Sequence, residues 1–256
     1  MNVLFIGDIV SSAGREVVKL MIPKIKSEYK VDFVIANAEN SAGGFGITKK
    51  VYKELIEAGI DLFTMGNHTW DNKEVLEIIN NENIIRPINF FPFMPGKGIY
   101  FNDILAVVNI QGRTFLDTPI SPIISIKELI NNGFFDKYKV IIMDFHGETT
   151  AEKMSIAYYL DGKITAFIGT HTHVQTNDYR ILPNGTFYIT DVGMCGAYDS
   201  IIGFKVEKIM EKLDTGLYNK FEPEKSKPYI FCAVLLFMDD KTYKIYDFKI
   251  FNEIIK

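Results

Sequence analysis

Short unbroken apolar runs alternate with amphipathic stretches along most of the chain. The run NVLFIGD predicts a buried strand, since an apolar segment of about four to eight residues without polar alternation is covered on both faces. It feeds SSAGREVVKLMIPKIKSEYK, where Val17, Met21 and Ile25 recur every fourth residue beside Val18 and Ile22 and form one helical face. Pro23 lies inside that pattern and is placed to kink or interrupt the helix. VDFVIANAE is a second strand, followed by the glycine loop NSAGGFG. A helix follows over TKKVYKELIEAG, with Thr48 as its N-cap and Gly59 near its C-terminus. IDLFTMGN is a third strand, and a helix over roughly 71–82, capped by Asp71, comes after it. Strand, helix, strand, helix, strand in this order predicts right-handed parallel units.

The middle of the chain is less regular. RPINFFPFMPGKGIYF is rich in proline, glycine and aromatics and predicts a loop crossing the surface. ILAVVNIQG and YKVIIMDFH are strands with a helix near 123–132 between them; TAEKMSIAYYL is a helix and KITAFIGTH a strand. YRILPNGTFYITD predicts a hairpin, because Asn184-Gly185 is a strong two-residue turn signal. A helix near 205–213 and a closing antiparallel hairpin, YIFCAVLLFMDDKTYKIYDFKIF, complete the pattern. With no repeat, low-complexity tract or linker, the expected organisation is one α/β domain, 1–256, with a mixed sheet system.

Composition narrows the class. The 256 residues are 47% hydrophobic and 23% charged, an ordinary globular balance. No window approaches the roughly 20 apolar residues of a membrane helix, so no membrane partner is expected. MNVLFIGDIV fits a buried strand better than a signal peptide, and Cys195 and Cys232 lack metal-type spacing. Reduced thiols in a cytoplasmic protein are therefore expected. The net charge of −4 disfavours a broad basic face for non-specific nucleic-acid binding. A phosphate-bearing substrate then needs a local positive centre.

The polar residues at strand ends supply a candidate for one. The first strand runs into Asp8, the second into Glu39-Asn40, the third into Asn67-His68, VIIMDF into His146, and ITAFIGT into His171 with His173 just beyond. All four histidines of the chain lie at these ends, where α/β sheets bind ligands. Each residue alone is explained by a cap, a turn or a hydrogen-bonded neighbour. Five strand ends doing so together, with histidine absent elsewhere, favour a site. Histidine, carboxylate and asparagine oxygen without cysteine suit iron, manganese or zinc. About seven such groups exceed one tetrahedral zinc and fit two metals sharing a carboxylate. A His-x-His pair on an extended segment turns both side chains to one face, from which each imidazole reaches a different metal. Two such cations clamp phosphate oxygens and acidify a water into a hydroxide nucleophile.

GD…GNH…H…GTHTH resembles the calcineurin-like metallophosphoesterase superfamily. Longer stretches, NAENSAGGFGIT, TMGNHTWD, NIQGRTF, DFHGETTAEK and GTHTHVQTND among them, resemble its YmdB-like bacterial phosphodiesterase branch from residue 1 to about 204. The chain departs from the wider superfamily where Ile9-Val10 follows Asp8 in place of the usual histidine, and where Glu39-Asn40 replaces an aspartate. The resemblance implies a sandwich of two mixed β-sheets flanked by helices, with metals at the C-terminal ends of strands. It implies one metal on Asp8, Glu39, Asn40 and His173, and another on Glu39, Asn67, His146 and His171, with Glu39 bridging. His68 is implied as the general acid. Two iron ions and hydrolysis of cyclic nucleotides of the 2′,3′-cyclic AMP type are likewise implied, with manganese or zinc as alternatives.

Weaker features carry alternatives. Lys97 and Arg113 are either phosphate contacts or a solvated lysine and a structural arginine. Glu148, Thr149 and Thr150 are expected to cap the next helix rather than touch substrate. TDVGMCGAYDS is either a rim over the metals or a plain loop, and Asp71 either orients His68 or caps a helix. A phosphomonoesterase or nuclease on the same centre, and a non-catalytic metal- or RNA-binding regulator, are the rival functions. Homo-oligomers are compatible with all of these.

Overall fold

The computed structural model describes residues 1–217 and 220–256. The chain opens with β1 (Asn2–Ile6), β2 (Asp8–Ile9), α1 (Ser11–Tyr29), β3 (Phe33–Asn37), α2 (Lys49–Glu57), β4 (Leu62–Thr64) and β5 (Ile84–Ile85). It continues through β6 (Ile99–Phe101), β7 (Leu105–Gln111), α3 (Pro122–Asn131), β8 (Val140–His146), α4 (Thr150–Tyr159) and β9 (Ala166–Thr170). It closes with β10 (Arg180–Ile181), β11 (Phe187–Ile189), β12 (Met194–Ala197), α5 (Val206–Thr215), β13 (Tyr229–Met238) and β14 (Ile245–Ile255).

The first sheet has the order β2-β12-β13-β1-β3-β4-β5, with β14 along β13, and the second β10-β11-β9-β8-β7-β6. Within them β1, β3, β4 and β5 run parallel, as do β7, β8, β9 and β11. Alternate residues of each strand serve different layers. Val3 and Phe5 pack with Leu105, Val107, Ile142 and Ile168 between the sheets, whereas Leu4 and Ile6 pack under α1 and α2 with Val17, Val18 and Leu55. Ala106, Val108, Met143 and Phe145 turn to the opposite face, against Ile126 of α3 and Ile156 of α4. The result is helices, sheet, sheet, helices, the sandwich of two mixed sheets that the family resemblance implies. Among the described residues, no helix is long and apolar enough to cross a membrane.

Thr48 caps α2 as expected, accepting from the Val51 N–H at 3.2 Å. Gly59 follows that helix at φ +100°, a conformation an L side chain resists. The 180–190 hairpin and the closing β13–β14 hairpin are also present. Helix α1 continues through Pro23, which lies on its exposed side.

Three expectations are corrected. The helix over 71–82 is only a 3-10 turn, Lys73–Glu77, and its cap is Asn72, whose side chain accepts from Glu74 N–H (3.0 Å). Asp71 cannot serve because its carboxylate is turned to His68. The segment after β5 is no simple surface loop: Arg86 is buried and donates to the carbonyls of Pro87, Met94 and Pro95, so the chain wraps around its guanidinium. The 190–200 stretch is neither rim nor plain loop. It contains buried β12, paired in parallel with β2 in the register Met194↔Asp8.

Candidate active site

The strand ends of both sheets meet at one edge of the sandwich. Glu39 and Asn40 follow β3, Asn67 and His68 follow β4, His146 ends β8, and His171 and His173 follow β9. His146 Nε2 faces three of these groups: Glu39 Oε1 at 2.9 Å, Asn67 Oδ1 at 3.0 Å and His171 Nδ1 at 3.1 Å. A second cluster adjoins the first through Glu39. Asn40 Nδ2 lies 3.2 Å from Glu39 Oε1 and 3.1 Å from His173 Nε2, and Asp8 Oδ1 lies 3.9 Å from that same nitrogen. The seven residues singled out as ligands thus come together in two touching groups.

The His-x-His pair is not extended. His171 and His173 have φ +105° and +66°, left-handed values uncommon outside glycine. Backbone hydrogen bonds explain the turn: the His171 N–H donates to Asp8 Oδ2 (3.1 Å) and the Thr172 N–H to Asp191 Oδ2 (2.9 Å). The two imidazoles still go to different clusters, by this turn rather than by strand geometry.

Each of the three clustered imidazoles has its outer nitrogen engaged. His146 Nδ1 bonds Thr170 Oγ1 at 2.9 Å, and that hydroxyl donates to Asp144 Oδ1 at 2.7 Å. His171 Nε2 faces Glu148 Oε2 at 2.9 Å, and His173 Nδ1 donates to the Ile202 carbonyl at 2.9 Å. With the proton fixed outside, the inner nitrogen offers a lone pair to the cluster, the arrangement that orients histidine ligands. His68 differs. Its Nδ1 is held 2.8 Å from Asp71 Oδ2, its ring is partly exposed, and its backbone N–H donates to Glu39 Oε2 at 2.9 Å.

The donor set fits cations. Glu39, His146 and His171 offer ligand atoms all within 4.8 Å of one another. Asp8 Oδ1 is fully buried and has no hydrogen-bond partner, an orphan that is costly unless something positive faces it. A Cβ on Gly66 would overlap His146 Cδ2 and Glu39 Oε2, so glycine keeps the space open. Burial pushes the Asp8 and Asp144 carboxyls up to about 6. On Glu39 burial acts the same way, but His146 overcomes it and holds the carboxyl down at about 2. Burial opposes the charge of His146 in turn, yet Glu39 and Asp8 raise it to about 9. Burial and then the His146 charge drive His171 down to about 3. The protein alone thus sets the His146 imidazolium among buried carboxylates.

Glu148 does not cap a helix. Thr149 occupies the cap position of α4 without a side-chain bond, and Glu148 turns to His171. Also unanticipated are Asp144 and a buried ion pair beneath the ligand loop. Lys153 Nζ, fully buried, reaches Asp191 Oδ2 at 2.9 Å and the Thr170 carbonyl at 2.8 Å. Asp144 was accessible to period-2 reasoning, since it stands two residues before His146 in an otherwise apolar strand. Lys153 gives no such signal. The cleft over the clusters, about 370 Å³, is lined by Glu39, Asn40, His68, Glu148, His171 and His173 on one side, and Lys97 and Arg113 lie outside it.

Solved structures share this architecture. A Thermus thermophilus protein described as hypothetical superposes with a TM-score of 0.93 at 38% identity, covering 100% of both chains. A structure described as a novel phosphatase, from Mycoplasma pneumoniae, gives 0.91 at 36% identity over 99% of this chain and 93% of that one. The fold and the histidine–carboxylate cleft are those of a phosphoric ester hydrolase. A 2′,3′-cyclic-nucleotide 2′-phosphodiesterase of Bacillus subtilis (strain 168) is 47% identical over 249 residues, 95% of this chain and 94% of the relative. A putative phosphatase/phosphodiesterase of Mycoplasma genitalium is 41% identical, over 87% of this chain and 82% of the relative. The family model for YmdB-like proteins matches residues 4–250, and the chain belongs to that family. The likeness therefore extends well past residue 204, into the last strand of the closing hairpin.

Proposed function

We propose that this chain hydrolyses 2′,3′-cyclic nucleotides at a dinuclear metal centre, with His68 as general acid. The observation that carries the reading is the convergence of three imidazoles whose outer nitrogens are already engaged, beside Glu39 and the unpartnered Asp8 oxygen. Asp8, Glu39, Asn40 and His173 would hold one cation, and Glu39, Asn67, His146 and His171 the other. Iron is the first candidate and manganese or zinc the alternatives, because the donors are nitrogen and oxygen without thiolate. When bound, two cations supply the charge that binds phosphate oxygens and lowers the pKa of an attacking water.

The protein's own groups do the rest. Glu148, Thr170 and the Ile202 carbonyl fix the tautomers of His171, His146 and His173. Asp71 holds His68 Nδ1, which leaves Nε2 to deliver a proton to the departing ribose oxygen. The name of the Bacillus subtilis relative supports a cyclic nucleotide as substrate and the 2′ oxygen as the leaving atom. The two free buried thiols support a cytoplasmic setting, and the whole chain, 1–256, is taken to act as one domain.

The test is the metal content of anaerobically purified protein, then turnover of 2′,3′-cyclic AMP, a phosphomonoester and a short RNA under one metal condition. Two metals per chain and preference for the cyclic diester are expected. Fewer than two metals at full loading, or preference for the monoester or RNA, overturns the reading.

A further inference from the structure

Beside the metal-binding residues the cleft changes character. The rest of its lining is Gly44, Phe45, Thr172, Ile202, Phe204 and Phe221, three of them aromatic, and the Lys212 ammonium lies 4.7 Å over the Phe221 ring. Phe45 packs edge-on against His68 at 5.0 Å between ring centres, and Phe204 lies 5.5 Å from Phe45 and 5.6 Å from Phe221. The wall is preformed. Phe204 makes antiparallel bridges with Ile201 and Pro223, Gly203 N–H donates to Ser200 Oγ (2.9 Å), and Glu224 N–H donates to the Gly203 carbonyl (2.9 Å). The same turn supplies the Ile202 carbonyl that orients His173. An aromatic wall is thus fixed to the same turn that aims a ligand of the centre.

We propose that Phe45, Phe204 and Phe221 form a nucleobase subsite that holds the base by stacking. The proposal rests on the reaction given above. In a 2′,3′-cyclic nucleotide the base is carried by the carbon next to the one bearing the 2′ oxygen. A leaving oxygen within reach of His68 therefore brings the base against Phe45, the ring packed on His68. Aromatic faces stack on every base, so stacking tolerates all of them. All four nucleoside 2′,3′-cyclic phosphates are then substrates, purines ahead of pyrimidines through their larger face.

The experiment compares adenosine 2′,3′-cyclic phosphate with the base-less methyl riboside 2′,3′-cyclic phosphate on metal-loaded enzyme. Stacking is worth roughly 5- to 150-fold per base, so wild type should prefer the nucleotide by more than about fivefold in kcat/KM. Phe221→Leu should reduce that preference severalfold through KM, and Phe45→Leu, in case the first variant folds poorly, should do likewise. Equal kcat/KM for the two substrates in wild type, or an unchanged ratio in folded Leu variants, overturns the subsite. Wild type that cleaves neither diester overturns the proposed reaction. The subsite is then judged by binding alone, with adenosine 3′-phosphate expected to bind more tightly than ribose 3-phosphate and equal affinity overturning it.

Discussion

His68 Nδ1 lies 2.8 Å from Asp71 Oδ2, three residues on in the same turn, so the one histidine outside the two clusters is held by a carboxylate of its own segment. His68→Ala should retain both metals and lose about 10²–10⁴ in kcat on alkyl diesters, the usual contribution of acid catalysis. Activated aryl diesters, whose leaving groups need little protonation, should lose far less. Asp71→Asn should give a smaller loss of the same kind. An alkyl diester rate in His68→Ala equal to wild type refutes the role.

His173 is the one imidazole assigned to the cation that Asp8 and Asn40 would hold, since Ile9 and Val10 follow Asp8 where the wider superfamily carries another histidine. His173→Ala should empty that site first and leave about one metal per chain by elemental analysis. Finding two, on folded protein, would show that the ligand assignment is wrong.

The Glu39–His146 pair gives the metal-free protein an alkaline weakness. His146 is raised from its ordinary 6.5 to about 9, so its contribution is complete below about 6.5 and is lost as pH rises towards 9. Asp8 and Asp144, raised to about 6, have finished titrating by then. The melting temperature in chelator should therefore fall between pH 6.5 and 9, by a few degrees per kcal/mol lost. Metal-loaded protein, with His146 Nε2 deprotonated at every pH in that window, should show no such limb. Parallel curves with and without metal would contradict this account.

Lys153 and Asp191 are both fully buried and hold the backbone on either side of His171. Lys153→Met strands a buried carboxylate and should cost about 3–5 kcal/mol in denaturant unfolding. Lys153→Met with Asp191→Asn should cost clearly less than the sum of the two single changes, because the partners are coupled. Additive losses would show that the pair acts independently.

What the sequence disclosed of this site depended on where polar residues interrupt apolar runs. Asp8, Glu39, Asn67, His146 and His171 each stand just beyond or at the end of such a run, so strand periodicity alone put them at one edge. The helix pattern around α1 and α2 was equally legible, because each buries a single face. Glu148 was assigned to a cap because local chemistry permits that; its real partner, His171, is 23 residues away in sequence and adjacent only after β8 and β9 pair. The left-handed turn at His171 had no local cause either, since it is drawn in by Asp8, 163 residues distant. Asp71 had two good local roles, and only the position of His68 decided between them. Lys153 looked like any helical lysine until the sheet beneath it placed Asp191 against its ammonium.

The N-terminal strand β1 lies between β3 and β13, and the Asp8 N–H is bonded by the Gly193 carbonyl. One side of the site is thus built from strands more than two hundred residues apart in the chain. During synthesis Asp8 waits while more than two hundred residues follow, and β1 presents an open edge until Tyr229–Met238 arrives. A chain lacking β13 therefore leaves β1 open to strand pairing with neighbours.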